Sequence, residues 1–191
     1  MNEQLSKEID RTVNLLKKGK VILYPTDTVW GLGCDAFNAR AINKLYHIKK
    51  RSESKSMIVL LHDKDELHKY IENVPAVAYD LMDNTSGPLT IIYSGSKDNL
   101  KHVRAVDGTV AIRIIQDEFC APVIKKLGRP IVSTSANASG EPTPTTFRQI
   151  DDEIKESVDY VVNLFQARLS STKPSTLIKL EDNFKFKVLR S

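Results

Sequence analysis

Four polar stretches carry the side chains able to do chemistry: residues 25–35, 49–56, 133–145 and 170–176. Together they hold Lys49, Lys50, Arg51 and Lys55, many hydroxyls, and Asn137 between two alanines. This inventory suits anionic oxygen atoms. Arg offers a planar donor fork, Lys a point charge, and Ser, Thr and Asn neutral donors. Other chemistries lack their marks, for there is no GxxxxGK[ST] phosphate loop, no GxGxxG, no HExxH, and no evident Ser–His or Cys–His pair. Each stretch also has a plainer reading. A basic run after a helix is often a solvated turn, and STSANASGEPTP could be a surface loop. Cys34 reads as a small core residue. His47, His62, His68 and His102 read as surface or helix-face residues. Trp30 is either a core aromatic or one wall of a ligand pocket.

The elements that must position these stretches follow from periodicity. Val21 to Tyr24 is a short β-branched run between Gly19 and Pro25, which predicts a buried strand that empties into Thr26, Asp27, Thr28 and the Trp30-Gly31-Leu32-Gly33 turn. Apolar spacing predicts helices over 2–18, 39–48 and from Asp117 to Leu127, with Asn38 and Asp117 as caps and Gly19 and Gly128 as stops. Asp63 and Pro75 open two further short helices, about 63–71 and 75–83. Strands are predicted over 57–61, 89–93, 109–115 and 129–132, with Arg113 facing away from Ile112 and Ile114. Residues 94–108 and 133–146 read as loops, 147–156 as a short helix and 158–163 as a strand. Segments 175–180 and 184–189 read as a closing strand pair. Loops at strand ends can converge on one crevice, as α/β folds commonly arrange.

The bulk numbers agree with one mixed α/β domain spanning 1–191. The 191 residues are 41% apolar and 27% charged, ordinary for a globular chain with a sizeable core. A net charge of +4 and a pI of about 9.0 are compatible with a phosphate-bearing ligand or RNA. Two distant cysteines without CxxC, no apolar run approaching the roughly 20 residues of a membrane span, and an acidic polar N-terminus without a signal-peptide core point to a reduced cytoplasmic protein.

Read together, the motifs resemble those of the YrdC-type family, the L-threonylcarbamoyladenylate synthases. YPTDTVWGLGCDA is similar to the family's YPTETVYGLG, Lys49-Lys50-Arg51 to its KxR element, and Ser135-Ala136-Asn137 to its SxN element. SGPLTIIY resembles its PGPLT strand and TVAIRI its TVAVR strand. Ser175-Thr176 and Val188-Leu189-Arg190 resemble its closing ST and LR elements. The likeness runs from Gly19 to Arg190. It departs at Trp30 (usually Tyr), Asp27 (often Glu), Ser86 (first Pro of PGP) and Ser56 (often Pro).

The resemblance implies a single twisted, mixed β-sheet domain with flanking helices, YrdC/RibB-like, with a positively charged concave face and without the additional C-terminal domain of longer relatives. It implies a nucleotidyltransferase joining L-threonine, bicarbonate and ATP into threonylcarbamoyl-AMP and pyrophosphate, for the threonylcarbamoyladenosine (t6A) modification of tRNA. Lys49, Arg51, Ser135 and Asn137 are then the catalytic tetrad. Lys55, Thr109, Thr143 and Arg190 join Arg51, Ser135 and Asn137 around ATP, and Thr28, Arg113, Ser133 and Thr176 bind threonine. Mg²⁺ is expected with the triphosphate, with no dedicated protein metal ligands and no tightly bound cofactor. Expected partners are weakly bound tRNA or other RNA and a downstream threonylcarbamoyl-transferase machinery. The alternative is a non-catalytic RNA-binding or ribosome-associated module using the basic face, although no interleaved aromatics suggest base stacking.

Overall fold

The computed structural model describes residues 3–50, 57–167, 174–181 and 185–191. The first helix, α1 (Glu3–Lys17), buries Ile9, Thr12, Val13 and Leu16 at helical spacing. Strands β1 (Ile22–Tyr24) and β2 (Gly31–Asp35) form an antiparallel pair. Helix α2 (Ala39–Ile48) is capped by Asn38, whose side chain accepts from the Ala41 amide at 3.0 Å. After β3 (Ile58–Leu61) comes a 3₁₀ segment, Lys64–Lys69, then α3 (Ala76–Asn84), β4 (Leu89–Tyr93) and β5 (Val110–Ile114). Helix α4 (Cys120–Leu127) has its first amides held by the Asp117 carboxylate, and Gly128, with φ of 72°, ends it. Strand β6 (Ile131–Ser135), helix α5 (Asp152–Ser157), and strands β7 (Tyr160–Val161), β8 (Thr176–Leu180) and β9 (Phe186–Arg190) complete the described chain.

All nine strands join one mixed sheet in the order β7-β1-β2-β6-β3-β5-β4-β8-β9. The two faces are treated differently. On one, Leu23, Trp30, Leu32, Cys34, Val59, Leu61, Ile112 and Val132 pack against Ile42 and Leu45 of α2, Ala78 of α3 and Ile154 of α5. On the other, α1 and α4 cover only one end, burying Ile22, Tyr24, Leu60 and Ile131 under Val13, Leu16, Phe119 and Val123. Alternation along each strand then assigns Ser133 and Ser135 of β6, Ile58 of β3, Ala111 and Arg113 of β5, and Leu177 of β8 to this second face, beyond the helices.

Several expectations are corrected. Gly31–Asp35 is a strand rather than the tail of a loop, because Leu32 and Cys34 alternate into the covered face while the glycines face the other way. The strand predicted at 129–132 runs over Ile131–Ser135, so the first hydroxyls of the polar stretch are strand residues paired with β2. The segment 63–71 is 3₁₀, not α-helical. Residues 147–156 divide into a 3₁₀ turn, Phe147–Gln149, and α5, and the strand expected at 158–163 shrinks to Tyr160–Val161. A short 3₁₀ turn, Asp98–Leu100, lies inside the loop predicted over 94–108.

Gly33 has no room for a side chain. A Cβ there would lie 2.7 Å from the Val132 carbonyl oxygen and 2.7 Å from Cε1 of Tyr24. The backbone contact has no rotamer by which to escape. Gly33→Ala is expected to lower unfolding free energy by about 1–3 kcal/mol, as overpacking does. Gly87, where a Cβ would have nothing within 4 Å, is the control. Urea denaturation of Gly87→Ala should differ from the wild type by no more than about 0.5 kcal/mol.

Candidate functional site

The open part of the second face is a cavity of about 360 Å³. That is large enough for a small ligand. Its floor is apolar, from Ile58, Leu60, Ala111 and Leu177, and its polar groups come from separate elements: Thr26 and Thr28 from the loop after β1, Arg113 from β5, Ser133 and Ser135 from β6, Thr143, Ser175 and Arg190.

Arg113 is the central charge. It is only 6% exposed and sits in register between Leu60 of β3 and Thr90 of β4. Its Nη1 donates to Thr28 Oγ1 at 3.1 Å, and its Nη2 forms an ion pair with Asp27. Its Nε is buried without a hydrogen-bond partner among the described residues. The loop that supplies Asp27 and Thr28 is braced from within. Thr26 Oγ1 donates to the Val29 carbonyl at 2.6 Å and accepts from the Thr28 amide at 3.1 Å.

Arg190 brings a second guanidinium. Its Nε and Nη2 donate to the Ser175 carbonyl at 3.0 and 2.8 Å. Partial desolvation, and then the charge of Arg113, hold its pKa below the usual guanidinium value. Two guanidiniums over an apolar floor, one of them shared with Asp27, offer a set of donors suited to an anion. Ser175 is itself buried, and its hydroxyl is hydrogen-bonded to Thr90 Oγ1 at 2.7 Å.

The structure thus brings Thr28, Arg113, Ser133, Ser135, Thr143 and Arg190 to one cavity. Four expected residues are placed otherwise. Lys49 was expected in a polar loop, yet it caps α2 and is 1% exposed. Its Nζ donates to the Ser135 carbonyl at 2.6 Å and to the Asn137 carbonyl, and lies 3.4 Å from Asn137 Oδ1. Asn137 turns its amide on its own loop, donating to the carbonyls of Ala138 at 3.0 Å and Glu141 at 2.6 Å. Thr109 donates to Asp107 at 2.6 Å at the start of β5, and that bond leads the influences that lower the Asp107 carboxyl pKa. Thr176 is on β8 next to Ser175, and it is Ser175 that lines the cavity. Arg51 and Lys55 lie outside the described residues.

Ser175 was absent from the expected site set. Period-two alternation could have found it, since Ser175 shares the parity of Leu177, which pairs with Thr90 across from Arg113. Trp30, left open between core and pocket, is core. It is 1% exposed and stacks at a tilt on Phe147, with ring centroids 4.8 Å apart. Cys34 is buried in the same core, and His47, His68 and His102 are on the surface. Among the described residues no group of three or more His, Cys, Asp or Glu could hold a metal, and no helix is long and apolar enough to cross a membrane.

A mixed sheet closed by helices on one face, with two arginines and a set of hydroxyls lining a cavity on the open part of the other, defines an α/β fold with a polar, cationic crevice. Residues 14–191 match the family model Sua5/YciO/YrdC, described as telomere recombination, and the chain belongs to that family. A putative threonylcarbamoyl-AMP synthase of Methanocaldococcus jannaschii is 38% identical over 189 residues, covering 96% of this chain and 86% of the relative. A threonylcarbamoyl-AMP synthase of Vibrio cholerae is 34% identical over 165 residues, covering 83% and 86%. Among solved structures, E. coli YciO superposes with a TM-score of 0.85 at 28% identity, covering 100% of this chain and 90% of that one. P. abyssi Sua5 complexed with L-threonine superposes with a TM-score of 0.85 at 25% identity, and the chain spans 55% of its length.

The burial of Lys49 revises what its loss should do. Lys49→Met keeps most of the volume but removes a donor from two carbonyls: that of Ser135 keeps the Asn137 amide at 3.0 Å, while that of Asn137 loses the Lys49 ammonium. A buried acceptor left unmet costs about 1–3 kcal/mol. The variant should unfold at lower urea than the wild type, with the 135–141 loop losing hydrogen-exchange protection before the sheet does.

Proposed function

We propose that this protein is a threonylcarbamoyl-AMP synthase working in the cytoplasm. It joins L-threonine, bicarbonate and ATP and releases pyrophosphate, for the threonylcarbamoyladenosine modification of tRNA. The observation that carries the reading is the meeting of Thr28, Arg113 and Ser133 in one cavity with Ser135, Thr143 and Arg190. The relatives named for this activity, and the Sua5 structure holding L-threonine, support it.

The amine of threonine captures the carbon of bicarbonate, forming a carbamate and releasing water. A carbamate oxygen then attacks the α-phosphorus of ATP, the bond to the β-phosphate oxygen breaks, and pyrophosphate leaves. Nucleophile and electrophile are both anionic, so the residues act through positioning and charge. Arg113 takes the threonine carboxylate, with its unpartnered Nε and the Thr28 hydroxyl forming the seat. Arg190, Ser135 and Thr143 face the nucleotide, joined by Arg51, Lys55 and Thr109. Lys49 and Asn137 act on the same side by fixing the turn that carries Ser135, and the Lys49 charge lies beneath that turn. Thr176 completes the threonine side beside Ser175. Mg²⁺ arrives with the triphosphate, held by phosphate oxygens and water. Arg113 and Arg190 belong to a positively charged concave face that also gives weak tRNA affinity, and the product passes to a threonylcarbamoyl-transferase machinery.

Pyrophosphate release by the purified protein should require both L-threonine and bicarbonate. Release that ignores either one, or its absence from folded protein, sinks the reading. Arg113→Ala should raise the KM for threonine about 10- to 100-fold, the loss of a charge-assisted hydrogen bond or two, while the KM for ATP moves far less. Equal rises in both constants would remove Arg113 from the carboxylate.

A further inference from the structure

Tyr24 makes a contact that the reaction scheme above does not use. It ends β1, and its hydroxyl donates to Ser133 Oγ at 2.6 Å, with both groups buried. Ser133 is on β6, and β2 runs between the two strands. A side chain from β1 must therefore reach across the full width of a neighbouring strand, about 9–10 Å between the outer two. It can do so because the residues it crosses are Gly31 and Gly33. A Cβ on Gly31 would lie 3.4 Å from Cε1 and Cζ of Tyr24 and 3.2 Å from Ser133 Oγ, and one on Gly33 would lie 2.7 Å from Cε1. The two glycines form a track for the ring, and the track ends at a cavity hydroxyl.

The direction of the bond matters. A serine hydroxyl has one proton and two acceptor lone pairs. A phenol that donates to Ser133 Oγ occupies one lone pair and leaves the serine proton to be given elsewhere. Tyr24 stays protonated, since burial first, and then the nearby Cys120, push its pKa well above the usual phenol value, against the pull of the Ser133 bond. Ser133 lines the cavity that Arg113 and Thr28 share, so its proton has an acceptor when a ligand oxygen is there.

We infer that Tyr24 is a positioning residue, which crosses the Gly31–Gly33 track to hold the Ser133 hydroxyl as a donor to an oxygen of the amino-acid substrate. The inference rests on the synthase reading and deepens it on the threonine side. On the nucleotide side, Arg190 and Thr143 come from other elements, and Ser135 is two residues along β6 from the hydroxyl that Tyr24 holds.

Steady-state kinetics of the wild type, Tyr24→Phe, Ser133→Ala and the double variant test it, together with calorimetric titration of L-threonine alone. Tyr24→Phe should raise the KM for threonine about five-fold, as expected for one neutral hydrogen bond, with the KM for ATP unchanged. Threonine affinity should weaken by the same factor. In the Ser133→Ala background, Tyr24→Phe should add nothing, because the group it orients is gone. An unchanged KM for threonine overturns the inference. So does a parallel rise in both KM values with a lower melting temperature, or full additivity in the double variant. Should Tyr24→Phe be too unstable to assay, Ser133→Ala alone must weaken threonine selectively or the inference fails. A wild type that neither turns over nor binds threonine overturns the functional reading itself, while an active wild type beside a silent Tyr24→Phe overturns only the role given to Tyr24.

Discussion

A guanidinium held almost wholly out of water, on a strand with apolar neighbours, is the condition to which the rest of the fold responds. Removing such a charge from water costs several kcal/mol unless partners replace the lost hydration. Arg113 receives two partners, Asp27 and Thr28, and both come from one short loop that Thr26 braces internally. The loop in turn begins where Pro25 stops β1. Helices α1 and α4 end short of this region, so the strand surface around Arg113 stays open instead of filling with side chains. The Nε is left with no partner among the described residues, and a buried donor in that condition is stabilised by whatever acceptor arrives. Among the described residues the fold thus leaves one donor of a buried arginine unmet beside an open cavity.

The second buried cation, Lys49, donates to main-chain carbonyls of a single loop. The carbonyls belong to Ser135 and Asn137, and the Lys49 carbonyl accepts from the Ser139 amide at 2.9 Å. One residue therefore fixes the C-terminal end of α2 to the loop leaving β6, and it brings a positive charge beneath a strand end that faces the cavity. Asn137 tightens the same loop from inside. Structural and electrostatic contributions cannot be assigned to different residues here, since the hydrogen bonds that build the loop are made by the charge.

Much of this was legible in the sequence wherever apolar periodicity spoke clearly. The β-branched runs of β1, β3, β4 and β5 and the capped helices α2 and α4 were readable, and so was the reversed facing of Arg113. What was not readable came from strands built of small or polar residues. Gly31–Asp35 and Ser133–Ser135 look like loop by composition, because the residues that face the cavity are glycines and hydroxyls. Propensity rules describe half-buried strands with an apolar side, and here the apolar side is only Leu32 and Cys34, or Val132. Lys49 was misplaced for a related reason. A basic triplet at a helix end reads as solvated, and only the neighbouring loop, distant in sequence, supplies the acceptors that bury it. Site membership at 175 and 176 turned on parity within β8, which becomes decidable once its register with β4 is known.

The stretch from Ile22 to Asp35 shows how one piece of chain can serve core and site together. Alternation within each strand separates the tasks, with opposite parity in β1 and β2. Trp30, Leu32 and Cys34 enter the covered face, where Trp30 meets Phe147. Tyr24, Gly31 and Gly33 lie on the other, where a ring from β1 passes over two positions of β2 to reach β6. Trp30 therefore serves packing and is not among the residues that line the cavity. The glycines are constrained by something more distant than their own backbone, for neither has a positive φ. What excludes a side chain at Gly33 is the Tyr24 ring and the Val132 carbonyl, while one at Gly31 would press on the Ser133 hydroxyl at 3.2 Å and touch the ring at 3.4 Å. A Gly-x-Gly in a strand is thus explained by the residue that must cross it. The reason for the crossing is on the far side of the strand, at a hydroxyl that the cavity uses.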